Sequence, residues 1–152
     1  MTDLKRTALY DIHVAQGGRL IPYAGWQMPV EYSGISKEHH AVRTGVGIFD
    51  VSHMGEFAVR GSGALDFLQH VTTNDVRTLS EGAAQYTTLT SEDGGVIDDL
   101  LLYRIDRDQY MMVVNAANTD SDFHWLRTQN NFAAQLEDVS RQTTLFSIQG
   151  PQ

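Results

Sequence analysis

The sequence predicts an α+β fold built on antiparallel sheets. Three observations carry this reading. Strand-like runs at 85–90, 96–106 and 110–115 follow one another without a helix between them. Their connectors, 91–95 and 106–109, are short and polar, which suits an antiparallel meander. Helical patterns elsewhere are brief and do not alternate regularly with strands, as a parallel sheet would require.

The elements follow in order. Residues 7–16 read as a short helix with Leu9, Ile12 and His13 on one face, stopped by Gly17-Gly18. Ser36 is placed to cap a second helix through Thr44, ended by Gly45. Phe57 and Val59 alternate with Glu56, Ala58 and Arg60, a strand pattern. Ser62 then precedes a helix carrying Leu65, Leu68 and Val71. Thr119-Asp120-Ser121-Asp122 forms a capping-box pattern before Phe123, Trp125 and Leu126. Two further strands are expected at 133–139 and 144–149. No internal repeat is present.

Composition excludes several functions. At 152 residues with 41% hydrophobic and 20% charged side chains, the chain has the composition of one ordinary globular domain. That length leaves little room for a large two-substrate cleft. No apolar run approaches the roughly 20 residues of a membrane span. Eleven Lys and Arg against nineteen Asp and Glu give a net charge of −8, and the basic residues are scattered. Nucleic-acid and anionic-membrane binding are therefore disfavoured. Zero cysteines remove disulfides, zinc–thiolate sites and a catalytic thiol, and a cytoplasmic location is expected. The six histidines have no i, i+4 pair, so no metal site is expected. Gly61-Ser62-Gly63-Ala64-Leu65-Asp66 fails as a dinucleotide loop, because an acid occupies the position where helix and strand must pack. Asp50, Ser52 and His53 lie too close along the chain to align as a hydrolase triad.

The informative segment is Val96-Ile97-Asp98-Asp99-Leu100-Leu101-Leu102-Tyr103. Apolar residues at both parities suggest a strand buried on both faces. Adjacent strand residues face opposite sides, so each face receives one Asp. Each buried carboxylate then needs a hydrogen-bond partner, water or a ligand. Both could accept backbone N–H bonds at a strand end; alternatively, one projects into a ligand pocket. Pairing Ile105 with Gln109 would set Leu101 opposite Val113 and Asp99 opposite Asn115. Pairing Thr90 with Gly95 would set Tyr86 opposite Asp99. An Asp, an Asn and a Tyr would then converge over a floor of Leu101, Tyr103 and Val113, the general form of a small-molecule site.

Five motifs now stand in order: Ala24-Gly25-Trp26-Gln27-Met28-Pro29, Phe49-Asp50-Val51-Ser52-His53-Met54-Gly55-Glu56-Phe57, Thr73-Asn74-Asp75, Gly94-Gly95-Val96-Ile97-Asp98-Asp99-Leu100, and Val113-Val114-Asn115-Ala116-Ala117-Asn118. Together they resemble the N-terminal part of the aminomethyltransferases, the T-proteins of the glycine cleavage system. The resemblance implies two substrates, tetrahydrofolate and the lipoylated H-protein carrying an aminomethyl group. The implied products are methylene-tetrahydrofolate, ammonia and H-protein with reduced lipoamide, and no metal is implied. By motif, Asp99 is similar to the family's essential acid. Met54, Tyr86, Leu101, Tyr103, Val113 and Asn115 match positions that line its folate pocket. A paired donor and acceptor on Asn115 would suit a pterin edge.

The resemblance also implies two interleaved subdomains, roughly 1–52 with 140–152 and 53–139. It implies a longer chain with a C-terminal barrel domain, so that a piece ending at Gln152 would be an incomplete fragment with little or no activity alone. A folate-dependent demethylase, or a folate-binding relative without catalysis, is the alternative.

Overall fold

The computed structural model describes residues 3–152, which divide into two compact units. Residues 3–53 and 144–152 form one, and residues 54–143 form the other.

The first unit holds α1 (Tyr10–Ala15), β1 (Arg19–Tyr23), β2 (Trp26–Glu31), α2 (Ile35–Thr44), β3 (Gly47–Asp50) and β9 (Phe146–Gln149). Its strands make two antiparallel pairs, β1 with β2 and β3 with β9. The helix expected over 7–16 is confined to α1, and Gly17, at φ 74°, stops it. Ile12 is half exposed, so only His13 of the expected apolar face is buried. Gly45 ends α2 as expected, but Ser36 does not cap it. Instead Glu38 Oε1 reaches back to accept from the backbone N–H groups of Tyr32, Ser33 and Gly34 at 2.7, 2.5 and 3.0 Å. A long carboxylate one turn in satisfies three donors where a serine hydroxyl would satisfy one.

The second unit holds β4 (Gly55–Arg60), α3 (Ala64–Val71), β5 (Ala84–Thr90), β6 (Val96–Asp106), β7 (Gln109–Val114), α4 (Thr119–Gln129) and β8 (Gln135–Asp138). Its strands form one antiparallel sheet in the order β5-β6-β7-β4-β8. The helices pack on one face. Phe57, Val59, Leu100, Leu102, Tyr110 and Met112 of the strands are buried with Phe67 and Leu68 of α3 and Leu126 of α4. Phe57 meets Phe123 at a 5.1 Å ring separation, and Phe67 meets Phe132 at 6.0 Å.

Gly61-Ser62-Gly63 turns the chain from β4 into α3. A side chain on Gly63 would lie 2.6 Å from the Ala133 backbone nitrogen, so this turn needs glycine for close approach. Neither Ser62 nor the box at 119–122 caps its helix; Gly63 and Asn118 hold those positions without side-chain caps. Asp122 is absorbed elsewhere, as described below.

Phe67→Ala is expected to lower unfolding stability by about 3–5 kcal/mol, because a fully buried ring leaves a cavity. Leu65→Ala, at a half-buried position of the same helix, should cost clearly less. Denaturant midpoints measure both, and equal losses would contradict this placement of the core.

Candidate functional site

β6 carries the candidate site. Within it Asp98, Leu100 and Leu102 are buried on the face that meets the helices. Asp99, Leu101 and Tyr103 point to the other face. That second face is not sealed: Leu101 is 38% exposed and Tyr86 60% exposed. The strand is therefore buried on one face, not on both as its apolar content suggested. Leucines at both parities reflect a core on one side and an apolar floor on the other.

The β6–β7 register is as expected along its length. Leu101 pairs with Val113 and Tyr103 with Met111. Only the hairpin tip differs, where Asp106 rather than Ile105 opposes Gln109 across a bulge. The β5–β6 register differs by two residues, with Tyr86 opposite Leu101 and Thr88 opposite Asp99. A shift of two preserves the face. Tyr86 thus stays on the Asp99 side and reaches it diagonally, its hydroxyl donating to Asp99 Oδ2. The Thr73-Asn74-Asp75 segment steadies this edge strand. Asn74 Nδ2 donates to the Tyr86 carbonyl, and Thr73 Oγ1 lies 2.8 Å from Thr88 Oγ1.

Asn115, just past β7, joins the two aspartates. Its backbone N–H donates to Asp98 Oδ2 at 3.2 Å. Its Nδ2 group faces Asp98 Oδ1 at 2.9 Å, Asp99 Oδ1 at 3.1 Å and the Asp99 carbonyl at 3.1 Å. Two carboxylates on one side fix the amide's orientation, since only NH₂ can donate to them. The donor half of Asn115 is thereby consumed inside the protein. What it retains for a ligand is the acceptor Oδ1, not the donor–acceptor pair expected from residue type. Asn118 Nδ2 adds a bond of 2.8 Å to Asp98 Oδ1. Burial alone would raise the Asp98 pKa. The Asn115 amide, Asp122, the Asn118 amide and the Asn115 backbone N–H together hold it below the ordinary carboxylate range. Asp98 is the bonded strand-end aspartate of the plainer alternative, and Asp99 is the one left facing outward.

Tyr86, Asp99, Leu101, Tyr103 and Val113 therefore share one sheet face, with Asn115 at its end. Met54 directly precedes Gly55, which pairs with Val114, so the register sets Met54 level with Asn115. Glu56 belongs to this face as well, opposite Val113. It is 1% exposed, and its two carboxyl oxygens have no hydrogen-bond partner among the described residues. Burial, then the charge of Asp138, raise its pKa to about 7. Sequence alternation had marked Glu56 only as a polar partner of Phe57; nothing in the local pattern signals its burial.

A second polar cluster lies in the first unit. Asp50 Oδ2 accepts from Thr7 Oγ1 at 2.7 Å and His13 Nε2 at 2.8 Å, and Oδ1 accepts from the Ser52 N–H at 3.0 Å. Tyr32 donates to His13 Nδ1 at 2.7 Å. These bonds fasten α1 to β3, which explains the Asp50 motif without a hydrolase triad. The sequence held no sign of the His13–Asp50 pair, because its members lie 37 residues apart. Beside it a cavity of about 460 Å³ is lined by Ile12, Val42, Phe49 and Phe146 among others. Among the described residues no His, Cys, Asp or Glu group is arranged to hold a metal ion, and no helix is long and apolar enough to cross a membrane.

Glu56→Gln tests the buried carboxyl. A raised pKa means that Glu56 favours folding when protonated, and this contribution is lost as pH climbs from 4.5 through about 7. The substitution should leave the unfolding midpoint nearly unchanged at low pH. In mildly alkaline buffer it should raise stability by about 1 kcal/mol or more. An equal effect at both ends of the range would contradict the burial.

Comparison with known proteins agrees with this architecture. The family model described as the GCVT N-terminal domain matches residues 9–152. An aminomethyltransferase of Desulforamulus reducens is 47% identical over 152 residues, spanning all of this chain and 42% of the relative. One from Prosthecochloris aestuarii is 52% identical over 150 residues, with 97% and 41% covered. The crystal structure of glycine cleavage system aminomethyltransferase T from Bartonella henselae superposes with a TM-score of 0.93 at 37% identity, covering 99% of this chain and 42% of that one. A heterotetrameric sarcosine oxidase from a Corynebacterium species shares the fold, with a TM-score of 0.50 at 15% identity, covering 76% of this chain and 57% of that one. The chain thus spans about two fifths of the curated relatives it matches. Matched along 144 of its 152 residues by the family model, the chain belongs to the GCVT N-terminal domain family.

Proposed function

We propose that this chain carries the folate-binding and acid-bearing part of a tetrahydrofolate-dependent aminomethyltransferase of glycine cleavage. The supporting observation is Asp99, held by Tyr86 and Asn115 above an apolar floor of Leu101 and Val113. The aminomethyl donor in this reading is the lipoyl arm of H-protein, and the reaction is placed in the cytoplasm. A chain without cysteine gains nothing from an oxidising compartment.

In this reading the pterin lies on the face formed by Leu101, Tyr103 and Val113, with Met54, Tyr86 and Asn115 around it. Flat apolar contact supplies area, and the few polar groups fix orientation. A folate nitrogen attacks the methylene carbon of the aminomethyl group, and the carbon–sulfur bond breaks. The second folate nitrogen then displaces ammonia and closes the methylene bridge. The two nitrogen-bound protons given up by folate end on the lipoyl sulfur and on ammonia, so the step balances. Asp99 accepts the N–H of the attacking nitrogen and steadies positive charge developing at the carbon. Tyr86 and Asn115 keep its carboxylate in place. The Asn115 acceptor Oδ1 favours a ligand N–H donor at that edge.

Made in a protein of its relatives' full length, Asp99→Asn keeps the shape and one of the two acceptor oxygens but removes the charge. It should lower turnover with aminomethylated H-protein by about a hundredfold or more. Tetrahydrofolate affinity should change less than about tenfold, since most contact area remains. Steady-state kinetics and fluorescence titration read the two quantities. Turnover equal to that of the unsubstituted protein would contradict the role given to Asp99.

A further inference from the structure

Asp122 is fully buried on the first turn of α4, and neither of its carboxyl oxygens meets an N–H or hydroxyl donor among the described residues. Asn118 links it to another carboxyl group: the Asp122 backbone N–H donates to the Asn118 carbonyl at 2.8 Å, and the Asn118 amide donates to Asp98 Oδ1 at 2.8 Å, which sets the Asp122 carboxyl beside that of Asp98. Two buried carboxylates in contact cannot both remain charged without large cost, so one must hold a proton. The surroundings decide which. Asp98 already accepts from two side-chain amides and a backbone N–H, and these favour its charged form. Asp122 has none of these. The proton therefore sits on Asp122, whose hydroxyl becomes the missing donor to Asp98. Burial first, then the bond to Asp98 and the charge of Asp98, raise the Asp122 pKa to about 8.

Resting on the aminomethyltransferase reading, we infer that Asp122 is a positioning residue: as a protonated acid it donates to Asp98, and the resulting pair anchors the Asn115 amide that orients the outward carboxylate of Asp99. The path is short and continuous, running from Asp122 to Asp98, from Asp98 to Asn115 Nδ2, and from Nδ2 to Asp99 Oδ1. Among the described residues, Asp98 is the charged group that acts on Asp122. Asp98 faces Asp122 from β6, while β7 and the turn after it contribute the neutral amides of Asn115 and Asn118. β4, which touches α4 through Phe57 and Phe123, turns Glu56 to the opposite face of the sheet. Loss of the Asp122 proton would put two negative charges together and draw the amides away from their present balance between Asp98 and Asp99. The site is thus set to hold its geometry near neutral pH and to lose it in alkali.

The test has a structural arm and a functional arm. In the first, carboxyl carbons and side-chain amide protons are followed by NMR from about pH 5 to about pH 10 in a Glu56→Gln background, which removes the other carboxyl titrating in this range. One carboxyl should titrate near pH 8, and the Asn115 amide protons should shift with the same midpoint. Both transitions should vanish in Asp122→Asn, whose amide donates to Asp98 but cannot ionise. In the second arm, tetrahydrofolate affinity should fall about threefold or more between about pH 7 and about pH 9.5, and Asp122→Asn should flatten this profile. Absence of any carboxyl titrating above about pH 6.5 in the Glu56→Gln protein would overturn the shared proton, whether or not the Asp122→Asn variant folds. Parallel affinity profiles would overturn the positioning role. No tetrahydrofolate binding at any pH would instead contradict the folate reading and the functional half of this inference with it. The NMR arm would still report on the proton pair, so the failures are distinguishable.

Discussion

The structure of this site depends on how one buried carboxylate, Asp98, is satisfied at the start of a central strand. Asp98 sits on the core face of the sheet, where an unpaired charge is costly. Its bonds come from the turn after β7 and from α4. Those bonds tie three elements together at one end of the sheet. They also dictate which way Asn115 turns. Once Asn115 is set, the outward aspartate next in sequence has a fixed neighbour. An adjacent pair of acids in one strand thus divides its labour by pleat alone. The inward acid organises the scaffold, and the outward acid is presented.

Much of this was legible in the residues. The strand 96–106 and its pairing with 109–114 follow from the apolar pattern and the short polar hairpin, and the structure keeps that register through Leu101 and Val113. Tyr86 sits two residues from its expected partner, because the 91–95 turn closes with Ser91 bonded to Gly95 and Thr90 paired with Val96. Period-two geometry absorbs that error, and the tyrosine still reaches Asp99. Capping was read less well. Ser36, Ser62 and Thr119 have the chemistry of caps, yet Gly34, Gly63 and Asn118 hold those places. The reason lies in what surrounds them: Glu38 accepts from the donors before α2, and the Asp122 carboxyl is fully buried with no donor in reach among the described residues. Neither choice is visible without the fold.

The first unit was the least legible. Three of its strands, β1, β2 and β3, were not anticipated. Pro22 and Pro29 interrupt the first two, and proline is tolerated there only because β1 and β2 form an isolated pair with open edges. β3 is four residues long and finds its partner nearly a hundred residues later. The His13–Asp50 bond that ties this unit together has no local signature. Glu56 shows the same limit in the second unit. A Glu in an alternating strand reads as a solvent-facing residue, and only the three-dimensional arrangement buries it.

The central claim is that the Asp99 face of the five-stranded sheet binds the folate. A crystal structure of the protein with tetrahydrofolate tests it most directly. The account predicts the pterin lying over Leu101 and Val113, with a ring nitrogen within hydrogen-bond reach of Asp99 and an N–H donated to Asn115 Oδ1. A pterin seated elsewhere, such as the apolar cavity beside His13 and Asp50, with Asp99 making no contact, would contradict it.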